Sequence, residues 1–201
     1  MNLKLNLAIF LGLLAAITVT GLKDLSEKSA SIQSGVLRLH ILANSDDDVD
    51  QELKLKVRDR ILEHSSELFT DANDSEQAKQ NAKENLERIT EIAQETVDES
   101  GFSYKVQCNL LDMPFPSRQY GNLTVPVGEY HAIQVLIGEA DGENWWCVMY
   151  PPLCLPACAE SDAAAYFSEG EYDVLANPQK YEVRFKILEV FSNVKSFFKS
   201  A

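Results

Sequence analysis

Residues 36–43, VLRLHILA, run without a break into Asn44-Ser45-Asp46-Asp47-Asp48, and this junction constrains the fold more than any other stretch. A largely apolar run this short, with Val36 and Ile41 in it, reads as a strand rather than a helix. The polar, acidic residues after it read as a helix start. There a side-chain oxygen caps the free amides, and carboxylates suit the positive end of the helix dipole. The helix then extends to about Phe69, with Leu53, Val57, Ile61 and Leu68 on one stripe and Leu55, Leu62 and Phe69 flanking it. A buried strand feeding an amphipathic helix calls for a layered fold, with helices laid on a sheet.

The rest of the chain supplies the other layers. A second helix is predicted from about Asp74 to Glu99, with Ala78, Ala82, Leu86, Ile89, Ala93 and Val97 along one face and Gly101 ending it. Phe102, Tyr104, Val106, Cys108 and Leu110 alternate with polar residues, the pattern of a half-buried strand. Residues 112–128, with three prolines and two glycines, read as a loop. Strands come next at about 129–138 and 144–150, joined by a hairpin-length connection containing Asp141-Gly142, and Pro151-Pro152 stops the second. Residues 156–179 read as irregular and acidic, and a last helix spans about 180–199. The expected fold is a single α+β domain (mixed α/β), a small antiparallel or mixed sheet packed by helices and preceded by an N-terminal hydrophobic helix.

Residues 1–22 stand apart. Lys4 gives a positive start, and the largely apolar run from Leu5 to Leu22 is long enough to span a bilayer, which takes about 17–25 residues. It reads as a membrane anchor or as a cleavable signal peptide, and either one exports the remainder of the chain. Residues 23–34, polar and Ser-rich, read as a linker, and residues 35–201 as an extracytoplasmic α/β domain. The net charge is −13, and no Lys or Arg occurs between Arg118 and Lys180. Such a chain repels phosphate backbones and anionic headgroups, which excludes nucleic acid as a partner and limits membrane contact to residues 5–22.

Candidate chemistry is sparse. Cys147, His131 and Asn144 are the ingredients of a thiol (Cys/His) hydrolase, the alternative reading. However, His131 is in phase with Ile133 and Val135, and Cys147 with Trp145 and Met149, as buried sheet residues would be. His40, Asn44, Asp46 and Asp50 assemble into a metal site only on paper, and no ligand spacing, phosphate loop or dinucleotide motif is present. No metal, no cofactor and no catalytic residue is expected. Export would let disulfides persist among Cys108, Cys147, Cys154 and Cys158. Three full pairings exist and a disulfide-free chain stays open. A Cys147–Cys154 bridge, closing a loop over Pro151-Pro152, is the pairing the spacing favours. Trp145-Trp146 sends one indole to each side of a strand, so one faces the core and the other is a binding candidate, as are Arg118 and Tyr120 in the proline-rich loop. An intramolecular ion pair is the competing account of Arg118.

The blocks LRLHILANSD (37–46), QELKLKVRD (51–59), FPSRQYGNLTVPVGEYHAIQVLIG (115–138) and NWWCVMYPPLC (144–154) resemble, in order, those of the stage II sporulation protein R family; YEVRFKILE near the end also fits. The resemblance implies an exported sporulation signal rather than an enzyme. Family members cross the forespore membrane into the intermembrane space, anchored or secreted. There they activate a membrane-bound aspartic protease that processes the pro-form of the mother-cell sporulation sigma factor. The family brings no catalytic residues to carry over. Cys108, Cys158 and the acidic segment 159–175 lie outside the shared blocks.

Overall fold

The computed structural model describes residues 23–70, 72–153 and 164–181, together with Ile9, Thr20 and Gly21. The expected membrane segment 1–22, Cys154, Cys158 and most of the last helix (182–199) lie outside the described residues. Among those described, no helix is long and apolar enough to cross a membrane.

The core is a four-stranded mixed sheet in the order β2-β5-β1-β6, from β1 (Leu37–Leu42), β2 (Val106–Phe115), β5 (Gly128–Ile137) and β6 (Asn144–Tyr150). β1 pairs parallel with β5 and antiparallel with β6, while β2 pairs antiparallel with β5. β1 is therefore internal, and it is buried almost throughout, Arg38 and His40 included.

Leu37, Leu39 and Ile41 face one way, onto α2 (Asp48–Glu63), α4 (Ser75–Glu84) and α5 (Leu86–Glu99), where Leu53, Val57, Ile61, Ala78, Ile89 and Ala93 are buried with Ile133, Val135 and Cys147. Each large apolar side chain hidden there contributes about 1.5–3 kcal/mol. A single turn, α3 (Ser65–Leu68), comes after α2. The helix expected over 74–99 is two helices divided at Asn85. Asn85 donates from Nδ2 to the Leu68 carbonyl at 2.9 Å, tying the break to α3.

The opposite face holds the main corrections. Residues 23–34, expected as a linker, are helical (α1), and Leu25, Ser29 and Ile32 are buried. The stretch expected as a loop over 112–128 contains the end of β2 and a small hairpin of β3 (Arg118–Tyr120) and β4 (Leu123–Val125). Within the segment expected to be irregular, α6 (Glu169–Ala176) starts at a capping box: Ser168 accepts from the Glu171 amide, and Glu171 accepts from the Ser168 amide. α1, the β3–β4 hairpin and α6 together bury a second cluster including Val36, Phe115, Val125, Tyr130, Ala132 and Val148. The sheet is thus covered on both sides.

The expected hairpin between β5 and β6 is also replaced. Those strands flank β1 and do not pair with each other, so residues 138–143 cross the exit of β1. The crossing is held by that exit. The Gly142 amide donates to the Ala43 carbonyl at 3.1 Å, the Glu139 amide to Asn44 Oδ1 at 3.0 Å, and the Glu143 amide to Asp46 Oδ1 at 2.7 Å. Gly138 and Ala140 adopt the left-handed conformation that the turn needs, with φ of 61° and 54°.

A groove at the edge of the sheet

β6 is an outer strand, and α2 passes it on one face while the β3–β4 hairpin passes it on the other. Between them lies a groove of about 550 Å³ lined by Gln51, Lys54 and Leu55 of α2, Arg118, Gln119 and Tyr120 of β3, and Glu143, Asn144, Trp145 and Trp146 at the start of β6. All four residues singled out as binding candidates, Arg118, Tyr120, Trp145 and Trp146, meet here. The two-sided tryptophan pair makes that geometry: each indole leans over one side of the same strand edge.

Each wall is held from behind. Trp146 stacks on His40 with ring centroids 4.1 Å apart and meets the edge of Phe115 at 4.8 Å. Trp145 lies under the Arg58 guanidinium, 4.4 Å from its ring centre, and its indole N–H is buried without a partner among the described residues. Tyr120 donates its hydroxyl to the Trp146 carbonyl at 3.1 Å and accepts from an Arg38 guanidinium nitrogen at 2.9 Å. Arg38 is fully buried, donates from Nε to the Cys147 carbonyl at 2.9 Å, and lies among the rings of Phe115, Tyr130 and Tyr120. Among the described residues no carboxylate pairs with it and its Nη1 has no partner, and burial lowers its pKa.

Lys54 is the other buried cation. It is 4 % exposed and donates to Gln51 Oε1 at 2.5 Å and the Glu143 carbonyl at 2.8 Å. Burial lowers its pKa, and Glu143 and Asp46 oppose that shift from beyond ion-pair distance. Arg118 is exposed, and among the described residues it forms no ion pair.

The other constellations resolve as structure. His131 and Cys147 lie on β5 and β6 with β1 between them, two strand spacings of about 4.7–4.9 Å apart. Cys147 is buried and disulfide-bonded, and Cys108 is a free thiol; the Cys147–Cys154 pairing lies outside the described residues. His131 is engaged by Asp112 at 2.6 Å, and Asn144 by His40. The hydrolase set is therefore not assembled. Asn44 and Ser45 both donate to Asp50 Oδ2, at 2.8 and 2.7 Å, which pins the corner between β1 and α2. Burial opposes the Asp50 charge, but these hydrogen bonds outweigh it and lower the pKa. The expected cap is displaced accordingly: Asp47 is the N-cap and its side chain accepts nothing from the helix. Among the described residues no group of three or more His, Cys, Asp or Glu side chains is placed to hold a metal ion.

His40 gives the groove a pH-dependent support. Its pKa is lowered by burial, partly offset by the hydrogen bond between Nε2 and Asn144 Oδ1 at 2.5 Å. Below the ordinary histidine value of about 6.5 the unfolded chain takes up a proton that the folded chain resists, so stability falls as pH drops. Urea unfolding at pH 7.5, 6.5 and 5.5 checks this: the wild-type midpoint falls more steeply than that of His40→Gln, and parallel slopes would refute it.

A family model described as stage II sporulation protein R matches residues 33–160, a span holding β1 to β6 and, among the described residues, the whole lining of the groove. A protein of that name from Bacillus subtilis (strain 168) is 37% identical over 150 residues, covering 73% of this chain and 67% of that protein. No solved structure matches the chain. The chain belongs to the stage II sporulation protein R family, and its role lies in sporulation.

Proposed function

We propose that the chain is an exported sporulation signal that activates a membrane-bound aspartic protease, which then processes the pro-form of the mother-cell sporulation sigma factor. It acts by binding, not by chemistry of its own, from the space between the two sporulation membranes. Residues 1–22 carry it there as anchor or signal peptide, and a Cys147–Cys154 bridge locks the end of β6. Activation then results from tighter binding to the active receptor state than to the inactive one.

What supports this reading most is the groove, in which Arg118, Tyr120, Trp145 and Trp146 converge inside the family-matched span. Trp, Tyr and Arg in a concave site are the side chains on which binding energy concentrates. The test reconstitutes the full chain with the receptor protease and its pro-sigma substrate in membranes and tracks cleavage by gel mobility. Arg118→Ala and Trp146→Ala are each expected to lower processing about tenfold or more, with thermal unfolding as the check on folding. Undiminished processing by both variants would sink the groove as the contact surface.

A further inference from the structure

Buried cations are ordinarily paired, because taking a charge out of water costs several kcal/mol unless an opposite charge or a full set of hydrogen bonds replaces the water. Here two buried cations, Lys54 and Arg38, have only neutral acceptors among the described residues, and both belong to one groove: Lys54 lines it, and Arg38 holds Tyr120 from behind. Arg118 adds an exposed guanidinium, without an ion pair among the described residues, on the opposite wall. This happens in a chain with 31 Asp and Glu against 18 Lys and Arg, yet among the described residues no carboxylate comes within ion-pair distance of these groups, Glu143 and Asp46 acting on Lys54 only from farther away. Among the described residues only Glu143 brings an acid to the lining, and its contact to Lys54 is through the main-chain carbonyl.

We infer that the groove is a docking slot for an extended acidic peptide segment of the protein partner, whose carboxylates supply the counter-charge missing at Lys54 and Arg118 while its apolar side chains settle on Tyr120, Trp145 and Trp146. The slot lies against the first residues of an outer strand, Asn144 to Trp146, where an extended backbone can enter. A nucleic acid or an anionic membrane is disfavoured by the net charge of −13, which repels any large polyanion while leaving a short peptide free to enter. The desolvation that weakens the Lys54 charge in the free protein is the part an incoming carboxylate would reverse. The inference rests on the reading of the chain as a signal that binds a protein receptor.

Trp145 and Trp146 are the only two tryptophans, so tryptophan fluorescence, excited at a wavelength that tyrosine does not absorb, reports on the groove. The full chain is titrated with a short capped peptide of alternating leucine and glutamate, and with its leucine–glutamine counterpart. A saturable change is expected with the first, about tenfold or more tighter than with the second, and weakening as salt is raised. Arg118→Gln, an exposed site that leaves the fold alone, and Lys54→Gln should each weaken the acidic peptide about tenfold, with Lys54→Arg restoring it. Equal affinity for the two peptides, no saturable response to either, or unchanged binding by both Gln variants would overturn the proposal. The same acidic peptide is then added to the sigma-processing assay. If it binds the chain and blocks processing, slot and receptor reading stand together. If it binds but the chain drives no processing, the receptor reading falls and the slot stands. If processing proceeds and the peptide does not bind, the slot falls and the receptor reading stands.

Discussion

Replacing Arg38 by alanine is expected to cost about 2–5 kcal/mol of stability, the range for emptying a large buried site. The guanidinium fills the space between Phe115, Tyr120 and Tyr130, and its removal takes one donor from the Cys147 carbonyl and one from the Tyr120 hydroxyl. Arg38→Met separates packing from charge. Methionine refills most of the volume and removes a buried cation that has no counter-ion among the described residues, so the desolvation cost of that charge disappears. Its urea midpoint is therefore expected close to or above that of the wild type. Methionine cannot hold the Tyr120 hydroxyl, so the hairpin wall of the groove loosens and sigma processing drops although the fold is intact. Equal destabilisation by alanine and methionine would show that the hydrogen bonds, not the packing, carry the site.

The second large effect is expected at Gly142. A Cβ there would stand 2.2 Å from the Ser45 carbonyl oxygen and 2.6 Å from its carbon, and both are backbone atoms that no rotamer change moves aside. Gly142→Ala must push the β5–β6 crossing off the end of β1. That breaks the bond from the Gly142 amide to Ala43 and displaces Glu143, whose amide and carbonyl tie the crossing to Asp46 and Lys54. A cost of about 3 kcal/mol is expected from overpacking of this kind. Gly101→Ala is the comparison: φ is +83° and nothing lies within 4 Å, so only backbone strain of about 1–2 kcal/mol applies. Urea unfolding of the two variants should rank Gly142→Ala as the weaker protein, and the reverse order would refute the crowding account.

Much of this architecture is legible in the chain because its signals are periodic. β1, β5 and β6 are visible as apolar runs, and the stripe through Leu53, Val57 and Ile61 marks α2. The linker reading of residues 23–34 fails because serines dilute the signal. Leu25, Ser29, Ile32 and Val36 do step at three and four residues, and all are buried. Ser168 with Glu171 three residues later is likewise a helix-start signal hidden in an acidic stretch. The break at Asn85 leaves no trace because the buried stripe continues across it. Pairing is harder still: a short link between two strands normally means a hairpin, and nothing local reveals that β1 lies between them. In the groove, the aromatic and arginine members are recognisable by type. Lys54 is not, since a lysine on an amphipathic helix is ordinarily solvated, and neither is Arg38, whose place inside the second core depends on the helix that reads as a linker.

The central position of β1 has a consequence for how the chain acquires its structure. Leu37 pairs with His131 on one side and with Tyr150 on the other, so the innermost strand is completed only by the last two strands of the sheet. Contacts this distant in sequence form slowly, because the intervening loop must be closed before pairing rewards it. A chain delivered amino end first, from a ribosome or through a translocon, therefore cannot close its sheet until Tyr150 has emerged. Up to that moment the helices α1 to α5 and the β3–β4 hairpin can form from local contacts, while the internal strand still lacks its second partner.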